Sequence, residues 1–275
     1  MLNKNNFINR LEKLNISNPE QEFIWLACYA LNVSTAQLMT LDLNNQDICD
    51  KLNKVISRRE QGEPLQYIIK AGTFYGRDFI TGPGVLIPRQ DTESLINAAL
   101  YLFNDKMQAL KFLDWGTGTG CIAITLLLEF QNSFAFMLDK SQEAINYAQQ
   151  NLESYKLNDR ASLLLNLNHD KLNNLDFIIS NPPYIPTKQI RNLMREVKDY
   201  EPRLALDGGP DGLDYYKIIF NLASSSLKPH GYLILELGDY EQANFLKNFN
   251  NNFKFIKSFQ DGSGFPSRCM TWQLL

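Results

Sequence analysis

The period at which apolar residues recur changes along this chain, and each change predicts a different kind of element. Up to about position 72 the spacing is helical. Asn18 and Pro19 read as a cap and a first-turn proline ahead of Phe23, Leu26, Ala27, Ala30 and Leu31. Ile48, Leu52, Val55 and Ile56 draw a second stripe, with Arg58, Arg59 and Glu60 near its end. Residues 1–72 are therefore expected to form a small helical domain. From Thr73 the apolar positions come in short alternating pieces, 73–75 and 79–81, around Gly76-Arg77-Asp78, which predicts a hairpin. Glycine and proline then shape a connector that carries Arg89, Asp91 and Glu93 at its far end. Residues 73–92 are read as hairpin plus connector.

From 93 to 275 strands and helices alternate. A helical stripe at 95–103 is followed by strands at 110–114, 133–138, 161–165 and 176–180. Between them lie an apolar helix at 121–130 and a helix capped by Ser141 with Ala144, Ile145, Ala148, Leu152 and Tyr155 on one face. A polar loop, 166–174, separates the third strand from the fourth. Further on, 213–227 reads as a helix, Pro229-His230-Gly231 as a turn, 232–237 as a strand, and 253–259 with 269–274 as a terminal hairpin. This order predicts an α/β fold built on a parallel, doubly wound sheet.

Composition narrows the function classes. At 275 residues the chain has room for one large domain, or an ordinary domain with a small one. No apolar run approaches a membrane span, and residues 1–10 lack the apolar core of a signal peptide, so a soluble cytoplasmic protein with no membrane partner is expected. Cys28, Cys49, Cys121 and Cys269 are scattered without CxxC spacing, which suggests neither a disulfide framework nor a metal site. The two histidines, His169 and His230, fall in no hydrolase or zinc-peptidase pattern; His230, beside a turn, reads as structural. The net charge of −3, and the balance of acidic and basic residues before Tyr75, give no case for a bulk nucleic-acid binder.

The candidate chemistry sits at strand ends. Ser180-Asn181-Pro182-Pro183-Tyr184 follows a buried-strand run, and its prolines end the strand and fix the path beyond it. The Asn181 side-chain oxygen and the Pro182 carbonyl are two acceptors on one short arc, suited to the two hydrogens of a planar –NH2, while Pro183 and Tyr184 can wall a flat group. Asp114-Trp115-Gly116-Thr117-Gly118-Thr119-Gly120 leads from a strand into a helix whose free N–H groups face the turn. Its spacing departs from the dinucleotide Gly-x-Gly-x-x-Gly, and its acidic strand end suits a cofactor with an ammonium group, such as S-adenosylmethionine. Asp139, at the next strand end, is placed to accept ribose hydroxyls. Gly116, Asp139 and Asn181 are expected at one edge of the sheet.

Five blocks together, "REQGEPLQYI" at 59–68, "GVLIPRQDTE" at 84–93, "DWGTGTGCIAI" at 114–124, "SNPPYI" at 180–185 and "YEPRLALDGGPDGLDYY" at 200–216, resemble the HemK/PrmC family of peptide-chain release factor glutamine methyltransferases. The resemblance implies a class I S-adenosylmethionine-dependent methyltransferase, Rossmann-like with a mostly parallel seven-stranded sheet, and a helical amino-terminal domain that helps hold the release factor. It implies methyl transfer to the side-chain amide of the glutamine in the Gly-Gly-Gln motif of class I release factors, without a metal. Carried over by position, Gly116, Thr117, Gly118, Thr119, Gly120, Asp139 and Asn181 would bind the cofactor. Asn181 and Pro182 would be catalytic, and Asn181, Pro182, Pro183 and Tyr184 would hold the substrate. Where the family commonly has an acidic residue near the adenine, this chain has Asn166, Leu167 and Asn168; its "SGFPSRCM" loop also departs, with Arg268 in a comparable place. The same clamp serves methylation of an exocyclic amino group on a nucleic-acid base, the alternative reading. A cofactor-free binding module and a nicotinamide dehydrogenase leave the clamp without a purpose.

Overall fold

A computed structural model describes residues 2–167 and 172–275, so His169 and Asn168 lie outside the described residues. The chain divides into two compact units: Met1–Ala71 with Met194–Tyr200, and Gly72–Leu193 with Glu201–Leu275.

The first unit is helical: α1 (Leu2–Glu12), α2 (Pro19–Leu31), α3 (Thr35–Leu38), α4 (Gln46–Glu60) and α5 (Leu65–Ile69). The Asn18 side chain accepts from the Gln21 amide, and Pro19 opens α2 where a missing N–H costs nothing. Asn32 ends it at φ 53°, in the left-handed region that asparagine tolerates. The apolar stripes of α1, α2 and α4 close over Leu11, Phe23, Leu26, Leu52 and Ile56, all essentially buried. Arg59 donates to Glu22 across 2.6 Å, joining the polar edges of α4 and α2.

The second unit starts with β1 (Ala71–Phe74) and β2 (Arg77–Ile80), paired as a two-stranded sheet. Arg77 and Asp78, expected in the turn, belong to β2. The turn is only Tyr75-Gly76, both at positive φ, the backbone that two-residue hairpins need to match strand twist. Then follow α6 (Glu93–Leu102), β3 (Lys111–Trp115), α7 (Cys121–Glu129), β4 (Phe134–Leu138), α8 (Gln142–Ser154), β5 (Ala161–Leu164) and β6 (Leu175–Ser180). After the short α9 (Arg195–Lys198), which clusters with the first unit, come α10 (Asp214–Ser226), β7 (Leu227–Glu236), α11 (Tyr240–Leu246), β8 (Phe253–Phe259) and β9 (Cys269–Leu274).

Seven strands form one sheet in the order β5-β4-β3-β6-β7-β9-β8, antiparallel only at the β7-β9 and β9-β8 pairings. The strand order reverses between β3 and β6, the switch point at which open α/β sheets bind ligands. β6 is buried at every position, which explains its unbroken apolar run. One face packs on Leu95, Ile122, Leu126 and Phe130. The other packs on Tyr216, Ile219, Phe220 and Leu246.

Two features differ from the sequence reading. The turn expected at Pro229-His230-Gly231 is a bulge inside β7: His230 takes φ 64°, and the pairing with β6 shifts between Leu175 and Phe177. Gly231 allows this, because a Cβ there would sit 3.1 Å from the carbonyl oxygens of both Leu175 and Asp176. The helix α11 was not anticipated; Asp239 caps it by accepting from the Gln242 amide at 2.8 Å.

Candidate active site

The register of the sheet brings three strand ends level. Trp115 pairs with Leu138 across β3-β4, and Asp114 with Ile179 across β3-β6. The residues that step off these strands are Gly116, Asp139 and Asn181, so the three predicted contributors share one edge.

Each is held by local bonds. Gly116 and Thr117 both donate to the Leu138 carbonyl, at 2.8 and 2.9 Å, which folds the turn back over β4. Gly116 has φ 74°, and a Cβ on it would meet no protein atom within 4 Å. The backbone is thus bare where it faces the open edge. Gly120, the cap of α7, has φ 82° and approaches so closely that a Cβ would lie 2.7 Å from Met137 Cε. Thr117 and Thr119 are buried: Thr117 Oγ1 donates to Asp114 at 2.6 Å, and the Thr119 carbonyl accepts from Asn151 at 2.9 Å. Asn151 also exchanges two hydrogen bonds with Ile80, so a single buried amide ties the turn to the hairpin.

Asp114, read from sequence as an acidic group suited to an ammonium, is fully buried and braces the turn through Thr117 and Ala123. Burial raises its carboxyl to about 7. Asp139 is half-buried, and burial also raises its pKa. Its two oxygens accept from the Gly118 amide at 2.9 Å and the Ser141 amide at 3.0 Å, locking the carboxylate at the mouth of the turn.

Asn181 donates from Nδ2 to Thr92 Oγ1 at 3.0 Å, and its Oδ1 accepts from no protein group among the described residues. Pro182 is buried and Pro183 half-buried. Tyr184 turns away from the edge: its ring lies against Gly238, and its hydroxyl donates to Glu236 at 3.4 Å. Burial raises its phenol.

A cavity of roughly 370 Å3 opens along this edge, within the range of small-molecule sites. Gly116, Gly118, Asp139, Asn181 and Pro183 line it; Thr117, Thr119, Gly120, Pro182 and Tyr184 do not. Asn166 and Leu167, where the resemblance led us to look for an adenine contact, line it too. Its apolar wall is formed by Val85, Leu86, Trp115, Leu165, Leu204, Tyr215 and Ile218, of which sequence reasoning gave no sign for Leu165 and Ile218. The sequence signals for Val85 and Leu86 were their place in the Gly/Pro-shaped connector and inside the 84–93 block. The connector residues beyond them bind inward: Glu93 accepts from the Tyr75 amide at 2.8 Å, Arg89 pairs with Glu201, and Asp91 lies 3.5 Å from Arg268. Arg268 is fixed by Asp261 at 2.7 Å and the Leu237 carbonyl at 2.9 Å.

The family described as methyltransferase small domain matches residues 92–204, and the PrmC N-terminal domain matches residues 5–69. The chain is 39% identical over 233 residues to the release factor glutamine methyltransferase of Geobacter sulfurreducens, covering 83% of this chain and 80% of that protein. It is 36% identical over 267 residues to that of Koribacter versatilis, covering 94% and 93%. Among solved structures, a methyltransferase from Pyrococcus furiosus shares the fold at TM-score 0.54 and 20% identity, covering 78% of this chain and 98% of its own.

Proposed function

This chain belongs to the release factor glutamine methyltransferase family, and on that premise we propose that Asn181 and Pro182 receive the amide of a glutamine side chain beside bound S-adenosylmethionine. The enzyme is a protein-(glutamine-N5) methyltransferase, acting on the glutamine of the Gly-Gly-Gln motif in class I release factors. The observation that carries this reading is the convergence of the bare Gly116 turn, the Asp139 carboxylate and the unspent Asn181 oxygen on one cavity at the sheet's switch point.

The residues present fit S-adenosylmethionine. Gly116 leaves room where a side chain would intrude, Asp139 keeps lone pairs beyond its two backbone bonds for ribose hydroxyls, and apolar walls at Leu165 and Leu167 suit a flat base. When bound, this cofactor supplies an electrophilic methyl group. An amide nitrogen is a weak nucleophile, because its lone pair is delocalised into the carbonyl. Asn181 Oδ1 and the Pro182 carbonyl, by accepting the two N–H bonds, would hold the –NH2 group so that the face carrying its lone pair is presented to the methyl. Such positioning supplies roughly 7–11 kcal/mol at the favourable limit. The same two oxygens stabilise positive charge developing on nitrogen without having to reorient. The helical unit, with its PrmC N-terminal match, holds the release factor.

The test is acceptor choice. With labelled S-adenosylmethionine, a purified class I release factor should take up methyl, while the same factor with its Gly-Gly-Gln glutamine changed to alanine, and DNA or RNA alone, should not. Label in nucleic acid but not in the factor would overturn the reading.

A further inference from the structure

The sheet edge that carries the cavity continues beyond it. Leu235 of β7 pairs with Ser180, and Cys269, the first residue of β9, pairs with Glu236. The chain between β8 and β9, residues 260–268, therefore emerges at the same edge as Asn181, on the side away from Gly116 and Asp139. This loop is folded from within. Asp261, 7% exposed, accepts through Oδ1 from the amides of Ser263 and Phe265, both at 2.9 Å, and from the Ser263 hydroxyl at 2.6 Å. Its Oδ2 takes Arg268 Nε at 2.7 Å. Arg268 anchors the loop to the end of β7: its carbonyl accepts from the Leu237 amide at 2.8 Å, and its guanidinium donates to the Leu237 carbonyl at 2.9 Å. What these bonds hold out is an aromatic pair. The half-buried Phe265 ring meets that of Tyr240, which is 56% exposed, at 4.8 Å between centroids and 81° between planes. The Arg268 guanidinium lies 5.0 Å from the Phe265 centroid. Neither aromatic residue lines the cavity.

Resting on the reading of Asn181 as the acceptor clamp, we propose that Tyr240 and Phe265 are the landing for the main chain of the release factor beside its acceptor glutamine. Only the glutamine side chain enters the clamp, so the backbone that carries it crosses the sheet edge outside the cofactor cavity. On the β7 side a rigid aromatic surface adjoins that route. The glycines of the Gly-Gly-Gln motif suit it: with no side chains, their Cα–H and peptide N–H groups can lie flat against aromatic rings. A surface already fixed by Asp261 and Arg268 loses little freedom when it is covered, and tyrosine adds contact area at low entropic cost. Landing and clamp also share one frame. Arg268 lies 3.5 Å from Asp91, and the next residue, Thr92, holds the Asn181 amide at 3.0 Å.

Phe265→Ala and Tyr240→Ala are each expected to raise KM for a purified class I release factor by about three- to tenfold. Their kcat and their Kd for S-adenosylmethionine should stay at the wild-type values, which also shows that the variants are folded. Phe265→Tyr keeps the ring and should keep the wild-type KM. Contact is read separately from turnover by Tyr240→p-benzoylphenylalanine: the variant is irradiated with the release factor, and the attachment point is located by peptide mass spectrometry. The proposal expects attachment at or beside the Gly-Gly-Gln motif. Attachment elsewhere on the factor, no attachment, or an unchanged KM in both alanine variants would overturn the landing, and methylation of the glutamine by wild type would then leave the functional reading standing. Attachment at the motif without glutamine methylation by wild type would uphold the landing and sink the functional reading.

Discussion

The Ser180 hydroxyl donates to the Trp115 carbonyl across 2.6 Å, joining the last residue of β6 to the last residue of β3. One residue further on, the two chains become the clamp and the glycine turn. The bond therefore sets the separation of the Asn181 and Gly116 backbones, proposed to hold the acceptor and the cofactor, where the ladder between the strands runs out. Ser180→Ala is expected to cost about 0.5–1.5 kcal/mol in urea denaturation, because it removes a part-buried hydrogen bond. The kcat should fall a few fold; a variant as stable and active as wild type would show that strand pairing alone sets the spacing.

What was legible in the sequence was what is local. The alternation of strands and helices, the glycine turn and the Asn-Pro-Pro-Tyr stop are each written in consecutive residues, and the shared edge of Gly116, Asp139 and Asn181 followed from strand order. The bulge in β7 was not legible, because proline, a positive-φ residue and glycine spell a turn unless a neighbouring strand is there to pair through them. Thr92 and Asn151 were equally opaque: a polar residue does not announce a partner 89 or 32 positions away. The apolar cavity wall is drawn from several distant segments, and no period links them.

Asp139 is committed to the backbone amides of Gly118 and Ser141, so its orientation is fixed before any ligand arrives. Removing two charge-assisted hydrogen bonds to ribose should weaken S-adenosylmethionine binding on the order of 10- to 100-fold. Calorimetry on Asp139→Ala is expected to show this, with a smaller effect on kcat at saturating cofactor. An unchanged dissociation constant would remove Asp139 from the cofactor site.

Trp25 and Tyr29 lie one helical turn apart on α2, 49% and 38% exposed, the sort of aromatic pair that anchors protein interfaces. If the helical unit holds the release factor, Trp25→Ala should raise KM for the factor by about three- to tenfold and leave kcat alone. The same KM in wild type and variant would place the anchoring elsewhere.

Glu236 carries a stability cost. Burial raises its pKa from the ordinary 4.5 to about 7 in the folded chain. A carboxyl raised on folding favours the protonated native state, so stability is full below pH 4.5, declines as pH rises between the two values, and stays reduced above about 7. The penalty for ionisation reaches about 3 kcal/mol at most. Glu236→Gln should therefore gain stability relative to wild type at pH 8 compared with pH 5. Denaturation midpoints that shift equally at both pH values would contradict the burial argument.

The central claim is that the Asn181 clamp presents a glutamine amide for methylation. Its most direct test is peptide mass spectrometry on a purified class I release factor after incubation with S-adenosylmethionine and either wild type or Asn181→Ala. The account predicts a single added methyl on the Gly-Gly-Gln glutamine with wild type, and at least about a hundredfold less with the variant, although the variant still folds and binds cofactor. A methyl on any other residue, or near-normal methylation by Asn181→Ala, would contradict it.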